Sequence, residues 1–137
     1  RLTASHETIL WAHTGGKKRR YFFDYEAAKE MGYPGDGLKE PGKQMRTVWD
    51  IPNNKKHQEI SYGKHPAQKP IRLLKRMLRL SAKPDQLFFT PFAGTGSECV
   101  AAKELGLHFL GFENDPIYFN ICEQRARIYR FHLVRLR

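Results

Sequence analysis

Cysteine is scarce in this chain. Cys99 and Cys122 are the two among 137 residues, and neither belongs to a C-x-x-C pair or a metal-ligand spacing. That excludes a disulfide scaffold and a cysteine-based zinc site, and it reads as two reduced core thiols of an intracellular protein. No apolar run approaches membrane-spanning length, and no signal peptide is visible. The chain opens at Arg1 rather than a methionine, which reads as a fragment or processed piece. Acidic residues are outnumbered, 14 against 24 Lys and Arg, for a formal net charge of +10. The imbalance points to a polyanionic partner, most simply nucleic acid, although a merely soluble basic protein has the same balance. There is no internal repeat or low-complexity tract, and the length suits one domain burying roughly two-thirds of its unfolded surface.

What is present is concentrated in one stretch. Leu87-Phe88-Phe89 is an apolar run of the kind found in a buried parallel strand. It breaks at Pro91 into a turn holding Gly94 and Gly96. Glu98 to Leu105 then predicts a helix, with Gly106 suited to its C-cap. A second apolar run, Phe109 to Phe112, ends in Glu113. A strand, glycine turn, helix and strand in this order present backbone N–H groups to a ligand and, about 20 residues on, a carboxylate to ribose hydroxyls. The glycines admit a ligand where a side chain would collide. No lysine follows them, so the turn is not a phosphate-binding P-loop, and the third glycine of the dinucleotide fingerprint is absent. A nucleoside without a pyrophosphate fits better than NAD or ATP, which argues against a nucleotide-dependent oxidoreductase.

Thr90-Pro91-Phe92-Ala93-Gly94-Thr95-Gly96-Ser97, preceded by His65-Pro66-Ala67-Gln68-Lys69-Pro70, resembles the bacterial amino-methylating DNA methyltransferases that act on adenine N6 or cytosine N4. In that family the glycine turn is motif I of the S-adenosylmethionine site, and the His-Pro-x-Gln-Lys-Pro segment is motif X, closing over the methionine end. Motif X directly before motif I matches the permuted beta order. The resemblance spans nearly the whole chain and implies an α/β, Rossmann-like methyltransferase fold of which this single domain supplies part of the sheet. The strands around Phe88 and Phe109 are expected as parallel neighbours.

The resemblance also implies the site. Cofactor contacts fall on Thr90, Pro91, Phe92, Gly94 and Gly96, with Glu113 at the ribose hydroxyls. Asp115 is either a further contact or only a helix cap. His65, Gln68 and Lys69 either lie near the methionine carboxylate or order their own loop. Thr95 and Ser97 cap the helix or bind. Where the family usually has Asp before Pro-Phe, near the methionine amino group, this chain has Thr90, which loses the charge. The catalytic segment of the family, an Asp/Asn/Ser-Pro-Pro-aromatic motif, has no counterpart here, because the chain contains no Pro-Pro dipeptide. No catalytic residue is therefore named. Either the catalytic half has been removed or another polypeptide supplies it. Methyl transfer from a sulfonium needs no metal. The implied substrate is double-stranded DNA, with adenine N6 the leading expectation and cytosine N4 the alternative; a non-catalytic nucleic-acid-binding subunit is the reading from another class. A bacterial cytoplasmic, nucleoid-associated location follows from the same likeness.

The rest of the chain yields local expectations. Glu7 to Thr14 and Tyr21 to Phe23 read as a hairpin turning at Gly15-Gly16, placed toward an edge of the sheet. Its loop carries Lys17, Lys18, Arg19 and Arg20, which suit phosphate contact or simple solvation. Asp24 to Met31 predicts a short helix. Residues 32–57 form an irregular stretch that the resemblance turns toward DNA. Within it, Thr47 to Pro52 is strand-like. Trp49 is either packing, the commoner role, or the lining of a cleft for an extruded base. After Pro70, the spacing of Ile71, Leu74, Met77 and Leu78 predicts a helix with a basic opposite face of Arg72, Lys75, Arg76 and Arg79. Asp115-Pro116 opens a last helix, expected to run on through the arginines to Arg137, with Ile117, Ile121, Cys122 and Ile128 on one face.

Overall fold

The computed structural model describes residues 6–13, 15, 16, 21–32, 36, 38, 40–53, 57–126 and 132–135. Its centre is a parallel sheet of β1 (Leu87–Thr90), β2 (His108–Glu113) and β3 (His132–Arg135) in that order. Phe88 is opposite Phe109, and Leu110 is opposite His132, so the expected parallel neighbours are found in register. Helix α3 (Ser97–Glu104) joins β1 to β2, and α4 (Pro116–Ala126) joins β2 to β3. Two right-handed crossovers stepping the same way across a sheet place both helices on one face. Helix α2 (Ile71–Ser81) packs on α3, and the core forms on that side from Leu74, Leu78, Cys99, Ala102, Phe109 and Cys122.

The opposite sheet face is bare. Leu87 is 65% exposed and Phe89 54% exposed, with Leu110 and Phe112 only half-buried beside them. Among the described residues, β1 pairs with β2 alone and its outer edge is open. Parallel sheets are ordinarily covered on both faces, so the chain provides one layer of helices where such a sheet uses two.

Local chemistry accounts for the helix ends. Asp24 caps α1 (Tyr25–Glu30), its Oδ1 accepting the Ala27 N–H at 2.8 Å, and Ala27 and Ala28 are buried against α2. Gly106 takes φ +70° just beyond α3, the left-handed conformation that ends a helix cheaply. No described helix is long and apolar enough to cross a membrane.

Four expectations are corrected. Glu7 to His13 and Tyr21 to Phe23 form no strand. Their rings hold them together instead, Trp11 lying 5.3 Å from both Tyr21 and Phe23. Ile9, Leu10 and Trp11 are exposed, and a two-stranded ribbon with no layer to cover it is marginal in water. Thr14 and the basic run Lys17 to Arg20 lie outside the described residues. The strand-like segment 47–52 is irregular, with Val48 exposed. The final helix does not reach Arg137: it ends at Ala126, and 132–135 add β3 to the sheet. Leu133 and Val134 stand opposite Gly111 and Phe112 of β2 in parallel register. Ile128, like Arg127 and Arg130, lies outside the described residues.

The fourth correction concerns the basic face of α2. Arg76 is 1% exposed. Its guanidinium pairs with the buried Asp36 carboxylate, donates to the Met31 carbonyl at 2.9 Å, and stacks 5.0 Å from the Trp49 ring. Trp49 is thereby a packing residue, and its Nε1 donates to the Arg46 carbonyl at 2.7 Å. The irregular stretch is pinned to α1 and α2, with a further bond from Met45 N–H to the Ala28 carbonyl at 3.0 Å.

Candidate functional site

The glycine turn and the segment before α2 enclose a cleft of about 250 Å³, lined by His65, Gln68, Lys69, Phe92, Gly94, Glu98 and Glu113 among others. Two stretches about 25 residues apart in sequence thus meet at one site, with Glu113 arriving from the tip of β2.

The turn is held from three sides. The Ala93 N–H donates to the Phe112 carbonyl at 2.8 Å, tying the turn to β2. The Glu113 carboxylate bridges the sheet tip, Oε2 accepting the Gly94 N–H at 2.7 Å and Oε1 the Asp115 N–H at 2.8 Å. From α4, Arg125 Nη1 donates to the Thr95 carbonyl at 2.6 Å, to Thr95 Oγ1 at 3.1 Å and to Ser97 Oγ at 3.2 Å. Burial pulls the Arg125 guanidinium below its ordinary pKa without discharging it.

The segment before α2 docks through Gln68, which is buried. Its Oε1 accepts the Thr95 hydroxyl at 2.9 Å and its Nε2 donates to the Glu59 carbonyl at 3.0 Å. Glu59, in a 3₁₀ turn over His57–Ile60, uses its own carboxylate to accept the Ile71 N–H at 3.1 Å, satisfying a donor at the start of α2. His65 stacks edge-on against Tyr118 of α4, ring centroids 4.4 Å apart, and its Nδ1 accepts the Ala67 N–H at 3.1 Å. Lys69 pairs with Glu7.

Of the residues singled out in sequence, His65, Gln68, Lys69, Phe92, Gly94 and Glu113 line the cleft, while Thr90, Pro91, Gly96 and Asp115 do not. Thr90 is buried at the end of β1. Asp115 acts as a helix cap, its Oδ1 accepting the Ile117 and Tyr118 N–H groups at 2.8 and 3.2 Å. Gly96 has a packing reason: a Cβ there would lie 2.3 Å from Cys122 Sγ. Gly94 faces open space, with His65 the nearest side chain at 4.0 Å from a notional Cβ. Arg125, Glu98 and Glu59 complete the site without having been assigned to it; no spacing rule links Arg125 to a turn 30 residues earlier. Among the described residues, no group of three or more His, Cys, Asp or Glu is arranged to hold a metal ion.

A family model described as DNA methylase matches residues 1–124. The chain belongs to that family. It is 39% identical over 124 residues to the Type II methyltransferases M2.LlaDCHI of Lactococcus lactis subsp. cremoris and M2.DpnII of Streptococcus pneumoniae. In each case the match covers 90% of this chain and 43% of the relative, so the chain spans less than half the length of these methyltransferases. Among solved structures, M1.HpyAVI in complex with SAM shares the fold, with a TM-score of 0.56 and 22% identity over 82% of this chain and 47% of that one.

Arg125 gives the DNA methylase turn a measurable dependence on α4. Replacing it with Met should lower unfolding free energy by about 1–3 kcal/mol, because the Thr95 carbonyl loses its donor. Urea titration of the variant beside wild type checks this.

Proposed function

We propose that this chain is the S-adenosylmethionine-binding half of a DNA amino-methyltransferase. The observation that carries the reading is the cleft itself, where both motif segments and Glu113 converge. The residues present fit the cofactor. Gly94 leaves its flank of the cleft open. Glu113 has used two hydrogen-bonding positions of the roughly four a carboxylate offers, so it retains capacity for ribose hydroxyls. Phe92 is 86% exposed at the rim and presents a ring that a purine would cover. Lys69 brings positive charge, and His65 an imidazole, toward the end expected for the methionine carboxylate, and Gln68 fixes the loop that carries them. Thr90, Pro91, Gly96 and Asp115 act through the shape of the turn and of α4 rather than by contact.

Bound there, S-adenosylmethionine would supply the methyl group. The chain's own task is to hold the cofactor immobile beside an acceptor nitrogen, about 3 Å away and in line, which provides much of the rate advantage of such a transfer. The groups that orient the acceptor base belong to the catalytic Pro-Pro segment, which these 137 residues lack. We assign them to a further polypeptide segment that closes the bare face and the open edge of β1. The acceptor is the exocyclic amino group of a base in double-stranded DNA, adenine N6 rather than cytosine N4. Lys17 to Arg20 and the residue 32–57 stretch are assigned to the DNA side, in keeping with the net charge of +10. A non-catalytic nucleic-acid-binding subunit is the second reading, favoured by that charge and by the uncharged Thr90.

Calorimetry should find S-adenosylmethionine binding to the isolated chain without methyl transfer to DNA. Transfer is expected when a segment carrying the catalytic motif is added. Mass spectrometry of the digested DNA then reads N6-methyladenine or N4-methylcytosine. DNA binding with no cofactor binding would decide for the second reading.

A further inference from the structure

The cleft wall contains two carboxylates, Glu98 and Glu113. Glu113 is engaged by the Gly94 and Asp115 N–H groups. Glu98 is in a different position. It stands in the first turn of α3, half-buried, and among the described residues no cation lies within ion-pair distance of it. Two cations act on it from farther off, Arg125 of α4 first, then Lys69 of the segment before α2. An acid in the first turn ordinarily complements the helix N-terminus, and the backbone at Glu98 does supply a hydrogen bond to the carboxylate. That role is fulfilled as well on an outer, solvated face. Here the carboxylate has been withdrawn from water into the cleft, which is costly without a contact cation.

Resting on the cofactor reading above, we propose that Glu98 binds the α-ammonium group at the methionine end of S-adenosylmethionine, while Lys69 and His65 take the adjacent α-carboxylate. The amino-acid end of that ligand is a zwitterion, with an ammonium and a carboxylate one carbon apart. Glu98, Lys69 and His65 line the same cleft, so it offers an anion beside a cation and an imidazole donor to a ligand with an ammonium and a carboxylate. Thr90 has no charge to offer and lies outside the cleft. Glu98 is therefore the cleft acid available to an ammonium.

Calorimetry of the full chain with three ligands tests this. S-adenosylmethionine and S-adenosylhomocysteine both have the zwitterion; 5′-methylthioadenosine keeps the adenosine and the thioether but lacks it. Glu98→Gln should weaken the first two by about 10-fold or more and leave the third within about 2-fold. Thermal unfolding of the same variant excludes damage to the fold. Burial raises the Glu98 carboxyl above its usual value against the pull of its backbone hydrogen bond, Arg125 and Lys69. A raised carboxylate pKa means that the folded state loses stability as pH rises through that range. Removing the charge should therefore leave the midpoint at pH 7 at or above that of wild type. Undiminished S-adenosylmethionine affinity in Glu98→Gln overturns the proposal. So does a parallel loss of 5′-methylthioadenosine, which would make Glu98 a support for the turn through Arg125. A loss confined to S-adenosylmethionine would overturn it in favour of a sulfonium contact. A wild-type chain that binds none of the three overturns the cofactor reading, and this assignment with it.

Discussion

Gly96→Ala should unfold the chain under conditions in which the wild type is folded. The residue has φ +76° at the N-cap of α3, a conformation that alanine adopts at a cost. Its added Cβ would meet Cys122 Sγ at 2.3 Å, Cys122 Cβ at 3.1 Å and the Cys122 backbone at 3.2 Å. The first clash involves a side chain, but the last is with the main chain of α4 itself, so helix and turn would have to separate. Overpacking of about 1–3 kcal/mol adds to a backbone cost of about 1–2 kcal/mol, for a total of about 2–5 kcal/mol. That is a large part of the stability of a domain this size. Cys122→Ala in the same chain should recover only part of the loss, because the crowding against the α4 main chain and the left-handed conformation at residue 96 persist. Chemical denaturation of both variants measures the two contributions. A fully restored double variant would show that the thiol alone had been the obstacle.

Asp36→Asn is expected to rank second. Arg76 and Asp36 bury their side chains completely and face each other with two nitrogens toward two oxygens. Breaking such a pair from one side leaves an uncompensated charge in the interior, at about 3–5 kcal/mol. Arg76→Met should cost less than Asp36→Asn, because the Asp36 carboxyl it strands can take up a proton whereas a stranded guanidinium cannot shed one. Denaturation midpoints of the two variants give the order directly. The stretch around Asp36 should also become sensitive to limited proteolysis in both, because this pair joins it to α2.

Both expectations come from interactions that no local pattern announced. The strands β1 and β2, α3, α2 and the cap at Asp115 were legible because each is announced by residues close together in sequence. The parallel pairing of Phe88 with Phe109 followed from two apolar runs bracketing a helix. The site was legible to a similar extent. Six assigned residues line the cleft, because the turn and the segment before α2 place backbone and short side chains in stereotyped ways. What could not be read depended on distance along the chain. Arg76 sits among α2 cations at a position indistinguishable from a solvated one until Asp36, 40 residues earlier, is brought against it. Arg125 reaches Thr95 across 30 residues. The aromatic first segment has the alternation of a hairpin, but Trp11 has rings to pack on and no sheet to join. The end of α4 was misplaced because a run of arginines and apolar residues fits either element, and a free edge on β2 decided for a strand.

The bare side of the sheet also sets an order of events during folding. Each strand pairs with the next one in sequence, and each crossover is a single short helix, so this region can close on itself without waiting for distant chain. Loop-closure entropy is small for such local pairings, which favours their early formation. The early structure has the open edge of β1 and the side chains of Leu87 and Phe89 facing solvent. An open edge beside apolar residues is a template for any extended chain nearby. That surface is therefore where the chain is most open to pairing with the wrong neighbour.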